Sequence, residues 1–221
     1  MTFAHRSERR RQFMCCLLVA ASLLLACSAV QASLDDLFSA VKLDDVAGVR
    51  RMLGDGGDVN SVDAGGNSLL MVAAREQSNG VARLLIERRV NVNYRNDVHE
   101  TAIMFAALDG DLELVKLLAA AGADITQAGW TALHYAAFGG HTEICRFLLD
   151  HKADIDAKSP NGTTPLMLAA RQGHYDTVKL LLSQVAEPNA RNEAGATALS
   201  MALRNKNMDI ATLLRQAGAH E

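Results

Sequence analysis

Histidine has the widest chemical reach of any residue in this sequence, and three of its seven copies fall in recurring contexts. His134 follows Thr131-Ala132-Leu133, while His141 and His174 each follow a glycine and lie 33 residues apart. An imidazole in such a place could ligate a metal or carry a proton near neutral pH. The other reactive side chain is Cys145, on an apolar run between Ile144 and Phe147. A nucleophilic thiolate there would need exposure and a cationic neighbour, and the adjacent Arg146 points elsewhere on a helix. The chain holds no phosphate loop, no Gly-x-Gly-x-x-Gly fingerprint and no nucleophile elbow. Asn161-Gly162-Thr163 fits a glycosylation acceptor, but is read as the tight turn that Asn-Gly favours. What these residues do is decided by the elements that hold them.

Those elements come from a pattern the chain repeats. A hydroxyl residue, a few apolar residues and an alanine pair occur in Ser68-Leu69-Leu70-Met71-Val72-Ala73-Ala74. Thr101 opens a second copy 33 residues later, Thr131 a third after 30, Thr164 a fourth after 33, and Thr197 a last after another 33, with Ala202-Leu203 in place of the alanine pair. A short polar break follows the alanines, as in Phe138-Gly139-Gly140-His141. A second amphipathic run comes next, such as Asp176-Thr177-Val178-Lys179-Leu180-Leu181-Leu182, and the unit ends on Gly122-Ala123-Asp124-Ile125-Thr126 or its equivalents. Both runs carry apolar residues at helical spacing, with Gly, Asn and Asp between them.

In these motifs the chain resembles the ankyrin-repeat family over residues 34–221. The resemblance implies an all-α solenoid of helix–turn–helix units with short β-turn fingers. Six repeats fall at 34–62, 63–95, 96–127, 128–158, 159–191 and 192–221, the first degenerate, with Leu37, Ala40, Met52 and Leu53 on its packing face. It also implies that His134, His141 and His174 are structural, bonding helices to loops. Stacked repeats would hold His141 and His174 about 8–10 Å apart, too far for ligands roughly 2 Å from one zinc ion. No catalytic residue, metal or cofactor is therefore expected.

Ser or Thr at the start of each repeat should cap its first helix, at about 1 kcal/mol per cap. Glycine at the exit supplies the left-handed backbone that ends the second helix. Gly56, Gly122 and Gly218 keep it, whereas Arg89, Lys152 and Val185 replace it. With Pro188 close behind, Val185 leads us to expect a locally remodelled exit in the fifth repeat. Between Thr126 and Thr131 the finger is three residues shorter than elsewhere, so a full hairpin tip is not expected there. Polar residues from Arg204 to Gln216 mark the last repeat as a terminal cap.

Function should then reside on the concave strip formed by finger tips and first helices. By repeat position that strip carries Asn67, Arg75, Glu76, Asp97, Glu100, Leu108, Asp109, Trp130, Phe138, Asn161, Arg171, Gln172, Glu193 and Arg204. Trp130, the only tryptophan, is expected to stand exposed beside Phe138 as a binding anchor.

The first 32 residues differ from the rest. Arg6, Arg9, Arg10 and Arg11 head an apolar run from Phe13 to Val30, which closes on small residues at Ala32. This is the pattern of a secretory signal peptide, with an uncleaved membrane anchor as the alternative. Arg10-Arg11-Gln12-Phe13-Met14 resembles a twin-arginine motif, and Leu24-Leu25-Ala26-Cys27 a lipobox in which Cys27 would be lipidated. Without this segment, 18 basic and 24 acidic residues remain, a net charge of −6 that disfavours nucleic acid. Only Cys145 certainly survives cleavage, so no internal disulfide framework is expected. The sequence thus predicts an exported, periplasmic, monomeric scaffold or adaptor that binds another protein. The alternative is an inhibitor, immunity-type or accessory protein that sequesters or stabilises an enzyme.

Overall fold

The computed structural model describes residues 33–220, so the proposed signal segment at 1–32 lies outside the described residues. Twelve helices follow in pairs among the described residues. They are α1 over 33–42, then α2 (Val46–Gly54), α3 (Leu69–Arg75), α4 (Asn79–Glu87), α5 (Ala102–Leu108) and α6 (Leu112–Ala120). The second half holds α7 (Ala132–Gly139), α8 (Thr142–Asp150), α9 (Pro165–Gln172), α10 (Tyr175–Ser183), α11 (Ala198–Arg204) and α12 (Met208–Gln216).

Helices of seven to nine residues are too short to persist alone in water. Packing against neighbours sustains them. Each odd-numbered inner helix from α3 to α11 packs against its pair-mate and against the inner helices of adjoining pairs, and the outer helices from α2 to α12 do likewise. The alanine pairs make this possible: Ala73, Ala74, Ala106, Ala107, Ala136, Ala137, Ala169 and Ala170 are fully buried. A missing side chain at these points lets backbones approach. Leu85, Leu118, Leu148, Leu181 and Leu214 then fill the seam from the outer helices, each contributing about 1.5–3 kcal/mol.

Ser68, Thr131, Thr164 and Thr197 cap their helices by accepting from the backbone N–H three residues on. Thr101 departs from this expectation. It makes no side-chain cap bond, and its buried hydroxyl oxygen has no partner.

At the exits Arg89, Lys152 and Val185 adopt φ of 60°, 71° and 69°, the left-handed backbone otherwise given to glycine. The fifth exit is not remodelled, contrary to expectation. Ala186 N–H donates to Leu181 O at 3.0 Å, the same closure as Ala123 to Leu118 and Ala153 to Leu148. Stack geometry fixes the turn, and Val185, 84% exposed, carries the strain without a clash that would drive it elsewhere.

Fingers are tied from repeat to repeat by a side-chain ladder. Asn60, Asn93, Asp156 and Asn189 each accept, through Oδ1, the backbone N–H of Asn91, Asp124, Glu187 and His220 one repeat on. Thr126 holds the corresponding place in the third repeat and bonds Asp124 instead, so the ladder is interrupted there. The finger tips close through backbone bonds such as Asn96 N–H to Glu100 O and Ser159 N–H to Thr163 O. In the shortened finger Gln127 Nε2 donates to Trp130 O at 2.7 Å in their place.

His134 is wholly buried, and its two ring nitrogens are both used. Nδ1 accepts the Thr131 N–H at 3.2 Å, completing a capping box, and Nε2–H donates to Thr163 O at 3.0 Å in the next finger. Both bonds suit the neutral ring. Burial lowers its pKa below the usual 6.5, against the Thr163 carbonyl, which raises it. The unfolded chain therefore binds a proton that the folded chain refuses. Stability is full above about pH 6.5 and falls as the pH drops from there.

Two outcomes follow. Val185→Gly should raise stability by about 1 kcal/mol, a Tm gain of roughly 2–4 °C in a scanning melt; no gain would mean the turn is unstrained. In urea unfolding, the wild-type midpoint should fall between about pH 7.5 and 5.5, and His134→Gln should be weaker at the higher pH but flatter across the range. An equal slope in the variant would assign the effect to other groups.

Candidate functional site

Counting the capping hydroxyl residue of each inner helix as the first, the fifth and eighth residues face the concave side. Three successive inner helices place four largely apolar side chains and one arginine at these positions. Leu108 ends α5, Tyr135 and Phe138 lie on α7, and Leu168 and Arg171 lie on α9. With Trp130 and His134 they line a groove of about 220 Å³.

Trp130 is half-buried rather than exposed, which corrects the sequence expectation. Its carbonyl is fixed by Gln127, and Gly129 before it takes φ of 84°. The indole meets His134 edge-on at 5.3 Å and Tyr135 at 6.3 Å, so it forms a wall of the groove. Phe138 does stand out, 37% exposed, with the Arg171 guanidinium 5.8 Å from its ring centre. At that distance the cation and the ring attract one another, which favours this arrangement of the two side chains.

The backbone beneath the groove is held from the next repeat. His141 Nε2–H donates to Leu108 O at 2.8 Å, His174 Nε2–H to Phe138 O at 2.9 Å, and Asn207 Nδ2 to Arg171 O at 3.2 Å. Helix-end carbonyls that would otherwise lack partners are thus satisfied, and each groove residue is fixed in height. The contact requires glycine nearby: a Cβ at Gly140, where φ is 75°, would lie 2.5 Å from the His174 ring. His141 and His174 are structural, as the resemblance implied, and ligation would cost them these bonds.

Tyr135 donates from its hydroxyl to Glu100 Oε1 at 2.6 Å, and Asn96 Nδ2 donates to Glu100 Oε2 at 3.0 Å. Burial and then Glu100 push the Tyr135 pKa upward, so the phenol remains a donor. Glu100 is therefore bound inside the stack rather than free to meet a partner. Arg75 and Glu76 form an ion pair with each other at 3.3 Å, both sides well exposed and so of little energetic weight. Asp109 lies near them; its pKa is raised by partial burial, with His141 acting in the opposite direction. Gln172, Arg204, Asp97, Asn161 and Glu193 are exposed, and Asn67 is half-buried in its finger, bonded to Asp63. None of these lines the groove.

The structure thus unites Leu108, Trp130, Phe138 and Arg171 from the sequence candidates. His134, expected to be structural, completes the walls with Tyr135 and Leu168, which the sequence reading does not single out. The signal lay in the fifth repeat position, where Tyr135 is the one polar-tipped residue among Val72, Phe105, Leu168 and Met201. Cys145 is fully buried, and burial pushes its thiol up to about 12, so it stays protonated and packs as a small apolar residue.

Comparison with known proteins agrees with the architecture. A family model described as "Ankyrin repeats (3 copies)" matches residues 37–128, 103–192 and 157–221. The crystal structure of the human ASB11 ankyrin repeat domain superposes with a TM-score of 0.76 at 27% identity, covering 83% of this chain and 84% of that one. Notch-regulated ankyrin repeat-containing protein of Homo sapiens is 52% identical over 62 residues, 27% of this chain and 54% of that protein. Protein phosphatase 1 regulatory subunit 27 of Homo sapiens is 41% identical over 88 residues, 38% of this chain and 57% of that protein. The chain thus spans little more than half the length of these relatives. Ankyrin repeats are protein–protein interaction modules, and relatives of the regulatory-subunit kind point the same way. Six stacked helix pairs, family matches running from residue 37 to 221 and a shared solved fold converge: this chain belongs to the ankyrin-repeat family.

Proposed function

We propose that the protein is a non-enzymatic scaffold or adaptor that holds a partner protein in the groove of α5, α7 and α9. One observation carries this reading: Phe138 and Trp130 present apolar surface in a rigid hollow, with Arg171 braced above. Interface anchors are of this kind, large, preorganised and ringed by polar groups. A second reading has a specific basis too. A relative named as a phosphatase regulatory subunit favours a bound enzyme whose activity changes on binding, so that the protein acts as an inhibitor or accessory factor. In either case the protein works as a monomer and binds neither cofactor nor nucleic acid.

The same proposal includes export to a periplasmic space. The basic head, apolar run and small-residue exit of residues 1–32 support it.

Affinity capture with the tagged mature chain, followed by partner identification, tests the binding reading. Phe138→Ala should remove the captured partner while leaving the melting temperature within a few degrees; undiminished capture would eliminate the groove as the site. A fall in the partner's own activity on addition of the protein would favour the inhibitor reading over simple tethering. Mass spectrometry of the mature N-terminus should find Ser33 free, or Cys27 acylated on the lipoprotein route. An intact segment at 1–32 would refute processing.

A further inference from the structure

Chemistry along the groove is not symmetric. The eighth residues of the five full repeats run Arg75, Leu108, Phe138, Arg171, Arg204 from first to last. Their apolar centre is therefore flanked by arginine on both sides. The ninth residues break that symmetry: Glu76 and Asp109 stand at the early end, while Gln172 and Asn205 stand at the late end. Glu76 engages Arg75 at 3.3 Å. At the other end Arg171 and Arg204 are exposed, and neither is ion-paired with a carboxylate among the described residues. Along these two rows of inner-helix positions, with Arg75 offset by Glu76, the charge passes from acidic, through apolar, to cationic.

Size limits what can enter. At about 220 Å³ the hollow is smaller than the roughly 300–1,000 Å³ pockets that engulf small ligands, so it suits one or two side chains of a larger molecule. The Arg171 guanidinium lies 5.8 Å from the Phe138 ring centre and carries no ion pair among the described residues, so its planar fork of donors can meet a carboxylate in two-point fashion. Arg204 occupies the equivalent place one helix-packing distance along, about 10 Å. The body carries a net charge of −6, so an acidic segment finds attraction here only locally, at these two side chains.

We propose that the groove receives one segment of a partner protein in a fixed direction. An aromatic or large aliphatic anchor seats among Trp130, Phe138 and Leu168, and Asp or Glu residues on one flank meet Arg171 and Arg204. The opposite flank, facing Glu76 and Asp109, is neutral or basic. This rests on the binding reading above and adds to it the chemistry and polarity of the occupant.

Selection of a random-peptide phage library on the full mature chain tests it, because the displayed peptides are themselves the probe. Trp130 is the only tryptophan in the chain and forms a groove wall, so its emission reports occupancy directly for peptides that lack tryptophan. Enriched peptides should share an apolar anchor with acidic residues on one consistent side. They should bind the Arg171→Glu, Arg204→Glu double variant about tenfold or more weakly, the loss of at least one charge-assisted pair. Selection on that variant should instead enrich Lys or Arg on the same side. Both arginines are exposed, and an unchanged melting curve of the double variant verifies that its fold is kept. Peptides that require Phe138 yet ignore the charge reversal would overturn the directional inference and leave the binding reading standing. Enriched peptides whose binding is unaffected by Phe138→Ser would overturn both.

Discussion

Every level of this molecule depends on one constraint: alanines buried on the inner helices are small enough to let successive helices approach closely. A pair of helices shorter than three turns has too little surface to enclose its own apolar face. It becomes stable only by covering the next pair. Ala106 and Ala107 on α5 meet the similarly bare face of α7, and α7 meets α9 in the same way. Stability is then a sum of local terms, each shared by adjoining repeats.

That constraint also makes the groove. Helices spaced by alanine rather than leucine bring their fifth and eighth residues within reach of one another across repeat boundaries. Leu108, Phe138 and Leu168 come from three repeats, yet they line one hollow. Imidazole and amide side chains at the starts of α8, α10 and α12 hold its floor, bonding carbonyls one repeat back. Histidines that first suggest chemistry thus serve rigidity. His134 does so most completely, joining its own cap to the next finger while buried and neutral.

Much of this was legible in the sequence, and the reason is periodicity. The recurring hydroxyl–apolar–alanine motif fixes helix starts, pair order and stacking direction at once, since each repeat presents the same physical problem. What escaped were features set by neighbours. Val185 was expected to distort its exit, but five other exits with the same closure impose the turn, and a β-branched residue yields to them. Thr101 looked like a cap in its own repeat, and only the packed structure leaves its hydroxyl without a partner. Trp130 was read as exposed because its repeat position usually is; the shortened finger and Gln127 turn it instead onto His134 and Tyr135. Tyr135 and Leu168 were missed as groove walls because their position appears to be core when one repeat is considered alone.

Neighbour-only packing is the central claim, and native-state hydrogen exchange on a chain ending at residue 191 tests it most directly. Removing α11 and α12 should strip protection from α9 and α10, which lose their cover, while amides of α3 to α6 keep theirs because their contacts are untouched. Loss of protection throughout α3 to α6 would show instead a single closed core, and would contradict the account.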